Sequence, residues 1–304
     1  MMTPASRLLK RAALAIGAAL SLTAPAAADP SLYGDTLMWR LEPPGGGEPS
    51  YMVGTIHLAD ARLQPSIDRA IERLRETGAL VVETDMSDAA LADIVAAMML
   101  TNGRTLPDVI GEAQFARLMV IAEDYGIPEE GLLPFAPWAV AMMLSVPADQ
   151  LEAMATGDGV FDQRLIASAQ AWTLPVETLE PTEEQIAVMS GYSETEQVAM
   201  LTATIEVHPQ LHEILNEMLD AYLADDLAGL ASVAMQQYES GDAQTDRVLD
   251  ALITERNHRM AARVIPMLEQ RPHLIAIGAM HLPGPDGVLN LLAEQGWTVV
   301  PAEQ

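Results

Sequence analysis

The stretch "YMVGTIHLAD" (51–60) decides the fold, because its apolar, strand-forming residues end at a histidine, His57. The stretch "LIAIGAMHLPG" (274–284) repeats the pattern near the other end of the chain, where it ends at His281. In both stretches a glycine is followed by two residues, then histidine and leucine. Open α/β sheets build their sites at the carboxyl ends of strands. We therefore expect both histidines to leave strand ends in one sheet.

The residues that follow each histidine have the same plan. After the first come a helical pattern in "QPSIDRAIERLRETG" (64–78) and a short apolar strand in "ALVVETD" (79–85). After the second come "PDGVLNLLAEQG" (285–296) and "WTVVPAE" (297–303). The first unit is predicted to be a right-handed, parallel βαβ unit, and the pair has the form of an internal repeat.

The remaining chain is predicted to be mainly helical. The range 88–270 has helical periodicity, interrupted by one short strand near "LPVETLE" (174–180), and a Pro/Gly turn predicts a hairpin over 35–58. We predict an α/β fold in which a central mixed or parallel sheet, built from two βαβ-type Gly-x-x-His units, carries a large helical insertion that caps the strand ends. Residues 29–304 are expected to form one domain.

The first 28 residues are predicted to be a cleavable signal peptide. They contain three basic residues, an apolar run in "AALAIGAALSL" and a small-residue cleavage site in "TAPAAADP". No cysteine is present for lipid attachment. The signal peptide predicts export to the periplasm, and no later segment is apolar enough to span a membrane.

Composition excludes several kinds of site. The chain has no cysteine, so thiolate nucleophiles and cysteine metal ligands are absent, and a metal must be held by His, Asp or Glu. The net charge of −27 disfavours binding to nucleic acid. The sequence also lacks a nucleophile elbow, a phosphate-binding glycine loop and a dinucleotide fingerprint.

Glu83 is predicted to join His57 and His281. It ends the strand after the first helix, and Asp85 has the same facing and is an alternative. Two histidines and a carboxylate suit a catalytic divalent metal that keeps an open position.

Other residues are less informative. Gly54 and Gly278, three residues before the histidines, would allow close backbone approach. The remaining histidines are expected to be structural or exposed; they are His208, His212, His258 and His273. Arg256 and Asn257 interrupt an amphipathic helix, and their residue types leave open whether they face solvent or the site.

These motifs together resemble the TraB/GumN family, which includes the Tiki-type metalloproteases, and more distantly the erythromycin esterase and ChaN-like group. The resemblance covers roughly 35–301. It rests, in order, on "GTIHL", "VVETD", "GVFDQRL" with Asp162, "LEPTEEQI" with Glu180 and Gln185, "AYLADDLAGL", "ERN" and "GAMHLPGPDGVLNLL". The pair Asp225–Asp226 stands where many relatives have Gly-Asp.

The resemblance implies that the two motifs and Glu83 converge on one site. In the Tiki-type branch this site hydrolyses peptides with manganese or cobalt, and zinc is left open here. We expect an exported metal-dependent hydrolase, most simply a peptidase, with a peptide or protein substrate. Arg256 would stabilise the oxyanion and Asn257 would orient substrate, beside Glu83. The alternatives are a non-catalytic envelope protein that binds a secreted peptide or haem-like ligand, and a structural role in the envelope or in polysaccharide export. The sequence thus favours a metal-dependent enzyme and leaves a non-catalytic role open.

Overall fold

A computed structural model describes residues 31–84, 88–101, 103–156, 160–236 and 250–303. The predicted signal peptide and Asp85 lie outside these residues, so both stay predictions.

Six strands of the described chain form one sheet. They are β1 (Met38–Glu42), β2 (Ser50–Thr55), β3 (Leu80–Thr84), β4 (Val176–Glu180), β5 (Leu274–Gly278) and β6 (Thr298–Pro301), in the order β4-β3-β5-β2-β1-β6. β4, β3, β5 and β2 are parallel, whereas β1 is antiparallel to both β2 and β6. The sheet is therefore mixed, and the predicted α/β class and hairpin are confirmed.

The described ranges also contain α-helices. They are α1 (Gln64–Thr77), α2 (Asp88–Ala97), α3 (Leu106–Ile110), α4 (Glu112–Asp124), α5 (Glu129–Leu132), α6 (Pro137–Leu144), α7 (Ala148–Thr156), α8 (Phe161–Ala171), α9 (Thr182–Ser190), α10 (Glu194–Val207), α11 (Leu211–Leu223), α12 (Leu227–Gln236), α13 (Glu255–Leu268) and α14 (Val288–Glu294). Short 3₁₀ turns occur at Ala61–Leu63, His208–Gln210 and Ala279–His281, and a π-helical turn occurs at Asp250–Thr254.

Helix α1 shows how local sequence sets an element. Pro65 lies in its first turn, and Gly78 ends it with a φ of 70°, which glycine adopts without steric cost. The Gly78 amide donates to the carbonyl of Leu74 at 2.9 Å. Ile67, Ala70 and Leu74 are buried on one face. The predicted limits of this helix are confirmed.

The two Gly-x-x-His units interlock in the sheet. β5 lies between β2 and β3, while β2 and β1 lie between β5 and β6. The chain therefore leaves β2 toward β3 and leaves the neighbouring β5 in the opposite direction, toward β6. Such a reversal between neighbouring parallel strands opens a crevice at their carboxyl ends, where α/β proteins bind ligands.

The described chain divides into two compact units. One comprises the described residues within 88–156 and 181–213; the other comprises 31–84, 160–180, 214–236 and 250–303, and it contains all six strands. The helical range predicted as an insertion thus contributes helices to both units. Its placement as a cap over the strand ends stays a prediction.

One expected helix is interrupted. The periodicity predicts a continuous helix from about 212 to 235, but α11 ends at Leu223 and α12 begins at Leu227. Asp225, between them, has a φ of 60°, a left-handed conformation that breaks the helix and that aspartate tolerates better than most residues. Its carboxylate accepts hydrogen bonds from Thr36 Oγ1 at 2.7 Å and from the Leu37 amide at 2.9 Å. These long-range hydrogen bonds offset the loss of helical hydrogen bonds at the break, and the periodicity of the sequence does not predict them.

No described helix contains an apolar stretch of the length that a bilayer crossing requires.

Candidate functional site

The carboxyl ends of β2 and β5 bring the two histidine motifs together. These strands are parallel neighbours, with Gly54 opposite Ile277 and Thr55 opposite Gly278. His57 follows β2 by two residues, and His281 ends the 3₁₀ turn that follows β5. The prediction that both motifs leave the same edge of one sheet is confirmed.

Gly54 is required by a close approach between the motifs. A Cβ added there would lie 2.9 Å from the Cα of Ala279 and 2.9 Å from Cδ1 of Leu282, closer than such atoms can pack. The carbonyl of Gly54 also accepts a 2.7 Å hydrogen bond from the buried hydroxyl of Tyr222 in α11. The first motif is therefore held tightly against the turn that carries His281.

His281 is completely buried and has one ring nitrogen engaged. Its Nδ1 lies 2.6 Å from Oδ1 of Asn257, while its Nε2 is buried without a hydrogen-bond partner among the described residues. Burial lowers the pKa of His281 to about 3, helped by the positive charge of Arg256 and by His57, and Glu83 opposes the shift. The ring is therefore neutral near pH 7, so one of its two nitrogens carries a proton and the other a lone pair.

Arg256, in the first turn of α13, connects two buried carboxylates. Its Nε and Nη2 donate to Oε2 of Glu180 at 2.9 and 2.6 Å, and Nη2 also donates to Oε1 of Glu83. Its Nη1 donates to the carbonyl of Leu252 at 3.2 Å, in the π-helical turn before α13. The guanidinium is fully buried, so its planar fork joins the ends of β3 and β4 through Glu83 and Glu180.

Glu83 is held as a carboxylate. Burial raises its pKa, but the charge of Arg256, with contributions from His281 and His57 and a 3.1 Å hydrogen bond from the Gly278 amide, lowers it to about 2. Each of its oxygens therefore has a donor.

His57 lies beside a second buried acid. Its Nδ1 is 3.3 Å from Oδ2 of Asp162, in the first turn of α8, and their side chains are 15% and 10% exposed. The other oxygen of Asp162 accepts a 3.1 Å hydrogen bond from Thr55 Oγ1, at the end of β2. Burial raises the pKa of Asp162, as does the charge of Glu83, whereas His57 lowers it.

The TraB/PrgY/gumN family model matches residues 37–301, which is nearly all of the described chain. The chain belongs to the TraB/PrgY/gumN family. This confirms the resemblance drawn from the motifs.

Relatives of this family member include both uncharacterized proteins and metalloproteases. The uncharacterized protein YbaP of Escherichia coli is 24% identical over 81% of this chain and 89% of the relative. Metalloprotease TIKI2 of Danio rerio is 23% identical over 87% of this chain and 60% of the relative, and metalloprotease TIKI1 of the same fish is 22% identical over 84% and 62%. These similarities indicate a distant relation to hydrolases.

The histidines expected to be structural have partners away from the motifs. In this TraB/PrgY/gumN protein, His208 contacts the hydroxyl of Tyr125 at 2.9 Å and His212 contacts Asp149 at 3.1 Å. His258 contacts Asp286 and His273 contacts Glu177, each at 3.3 Å. His212 and His258 are exposed, and His273 is buried at the opposite end of β5 from His281.

Three contributors were not predicted as site residues from the sequence. Asp162 and Glu180 were recognised only as landmarks of the resemblance, and Tyr222 only as part of one. Glu180 carries the same signal that identified Glu83, an acid at the end of a short strand, because it is the last residue of β4. Asp162 lacks a comparable local signal, since its relation to His57 depends on how α8 packs.

Proposed function

We propose that this protein is a metal-dependent hydrolase acting on peptides, with His57, Glu83 and His281 as its metal-binding side chains. The distant similarity to metalloproteases supports the reaction class. The observation that carries the proposal is the buried Nε2 of His281, which has no hydrogen-bond partner among the described residues. Leaving such an atom unsatisfied costs about 1–3 kcal/mol, and a metal ion would satisfy it.

The donor chemistry fits a divalent cation. His281 offers a neutral imidazole nitrogen, and Glu83 offers a carboxylate that stays ionised. His57 follows β2, the strand next to β5. Within the described residues, no three His, Asp or Glu side chains are already arranged to hold an ion. The proposal therefore rests on the individual donor atoms. Imidazole and carboxylate ligands suit manganese, cobalt or zinc.

A bound divalent ion would lower the pKa of water and polarise a substrate carbonyl. Other residues of the protein would orient the metal-binding side chains and balance their charge. Arg256 fixes Glu83 and compensates its charge, while Asn257 holds the ring of His281. These contacts support positioning roles for Arg256 and Asn257. Direct contact of either residue with an oxyanion or with substrate stays a prediction.

The decisive experiment measures metal content and peptide cleavage together. Chelator-stripped protein would be reloaded with manganese, cobalt or zinc and assayed on a peptide library, for wild type, His57→Ala, His281→Ala and Glu83→Gln. We expect wild type to bind metal and to cleave, and all three variants to lose metal and cleavage. His212→Ala, which changes an exposed histidine, is the matched control and should behave as wild type.

If wild type cleaves no more than the Glu83→Gln variant with any of the metals, the proposed hydrolase function would be overturned. A non-catalytic binding protein using the same residues would then replace it.

We also propose that the protein is exported to the periplasm. The support is the basic, apolar and small-residue succession within residues 1–28. Amino-terminal sequencing of protein from the periplasmic fraction should give a start near residue 29. Recovery in the cytoplasm with Met1 or Met2 as the first residue would contradict export.

A further inference from the structure

We propose that Asp162 and Asn257 are a pair of positioning residues that hold His57 and His281 in the same tautomer, with the proton on Nδ1 and the lone pair on Nε2. The inference concerns the rings themselves, and only its consequence for metal affinity rests on the proposed function.

The tautomer of His281 follows from the orientation of Asn257. Asn257 Nδ2 lies 2.8 Å from the backbone carbonyl of Asp286, which can only accept, so the amide NH₂ must point there. The amide oxygen, Oδ1, therefore faces His281 Nδ1 at 2.6 Å. An amide oxygen also only accepts, so Nδ1 must carry the proton.

The tautomer of His57 follows from Asp162. Thr55 Oγ1 engages Oδ1 of Asp162 at 3.1 Å, which leaves Oδ2 facing His57 Nδ1 at 3.3 Å. Oδ2 is buried and accepts no hydrogen bond from the described residues, so a small rotation of the imidazole would satisfy it. A carboxylate at this position favours a proton on Nδ1 and directs the lone pair of Nε2 away from it.

The two anchors are placed alike. Asp162 lies in the first turn of α8 and Asn257 lies in the first turn of α13. Their partners follow two neighbouring strands, His57 after β2 and His281 after β5. Each histidine therefore contacts a side chain from the first turn of a helix that is distant from it in sequence, except that Asn257 and His281 are separated by 24 residues. Residues that fix metal-binding histidines in this way typically change metal affinity about 10–100-fold when they are replaced.

The test uses the full mature chain, stripped of metal and labelled with ¹⁵N at histidine. Two-bond proton–nitrogen correlations distinguish the tautomers, and the six histidines can be assigned with single His→Gln variants. In wild type at neutral pH, His57 and His281 should both show the Nδ1–H tautomer. A proton on Nε2 of either ring, or on both nitrogens of one ring, would overturn the inference. If His57 carried its only proton on Nε2, a protonated Asp162 would be donating to its Nδ1.

Variants test the assignment to the two anchors. Asp162→Asn lets an amide NH₂ face His57, and Asn257→Ala removes the acceptor for His281, so each should redistribute the tautomer of its own histidine. Asn257→Asp keeps an acceptor and should preserve it. Asp149→Asn, an equivalent change beside the exposed His212, is the control. An unchanged His57 signal in folded Asp162→Asn would overturn the role of Asp162.

Calorimetric titration with manganese, cobalt or zinc separates this inference from the proposed function. Asp162→Asn should bind about 10–100-fold more weakly than wild type, and Asp149→Asn should not differ from it. Correct tautomers in a protein that binds none of the three metals would overturn the proposed function and leave the positioning roles standing. Metal binding by a protein whose histidines have the other tautomer would overturn the positioning roles and leave the proposed function standing.

Discussion

Arg256 illustrates how a single buried charge can be stabilised by residues far apart in sequence. A buried guanidinium is strongly disfavoured unless its charge and its N–H donors are matched. Here Glu83 and Glu180 supply two carboxylates and Leu252 supplies a carbonyl. Burial alone would lower the pKa of Arg256, but the two carboxylates raise it above its ordinary value, so the residue stays charged.

We expect Arg256→Leu to destabilise the protein by about 3–5 kcal/mol, because it leaves two buried carboxylates without compensation. Glu180→Gln should cost less, since Arg256 retains Glu83. Urea unfolding would measure both. Arg104→Leu is the matched control: Arg104 pairs with Glu194 at 2.7 Å, but the pair is exposed, so the loss should be about 0–1 kcal/mol. Equal losses for Arg256→Leu and Arg104→Leu would contradict a role for the buried bridge.

At the scale of elements, the site depends on how strand ends meet the turns that follow them. β2 can lie against the Ala279–His281 turn only because Gly54 has no side chain. Asp225, in the turn between α11 and α12, accepts hydrogen bonds from the residues just before β1. Both contacts act on the backbone that positions the motifs.

Gly54→Ala should destabilise the protein by about 1–3 kcal/mol, because its Cβ would overlap Ala279 and force β2 and the turn apart. The same displacement should weaken metal binding. Gly45→Ala is the control, since a Cβ there meets nothing within 4 Å. Thermal unfolding and metal titration check both effects, and a Gly54→Ala variant that matches Gly45→Ala in both would refute the close-approach explanation.

Asp225→Ala should cost about 2–3 kcal/mol, since it removes two hydrogen bonds to a charged group and keeps a non-glycine residue at a φ of 60°. Asp225→Gly loses the same bonds but relieves the left-handed backbone, so it should be about 1–2 kcal/mol more stable than the alanine variant. The two unfolding free energies test this order. An alanine variant at least as stable as the glycine variant would show that the backbone conformation carries no cost.

The whole molecule is dominated by negative charge. Its 43 acidic residues exceed its 16 basic ones, and its isoelectric point is about 4.3. Repulsion among like charges opposes the compact state, and dissolved salt screens it. The buried carboxylates of the candidate site belong to this excess.

We expect the unfolding temperature to rise when sodium chloride is increased from low ionic strength to about 0.5 M at pH 7.5, because screening weakens the repulsion in the folded protein. Near pH 4.3 the net charge approaches zero, so the same addition should have a much smaller effect. Scanning calorimetry at both pH values measures the difference. A salt effect of equal size at the two pH values would indicate that net charge is not its cause.

Short-range physics accounts for what could be predicted from the sequence. Pro65 and Gly78 delimit α1, and apolar runs predicted β2, β3 and β5, because steric limits and side-chain periodicity act within a few residues. The presence of two equivalent histidine motifs at strand ends followed from the same local patterns.

Long-range packing accounts for the rest. β5 inserts between β2 and β3, although about 190 residues of chain separate it from β3, and no local pattern specifies that pairing. The partners of the site residues depend on this insertion and on the helices around it: Asp162 reaches His57, Asn257 orients His281, and Arg256 joins Glu83 to Glu180. The sequence thus identified the histidines and Glu83 as candidates, whereas the packing of distant segments selected the atoms that face them, because hydrogen-bond geometry exists only once those segments have come together.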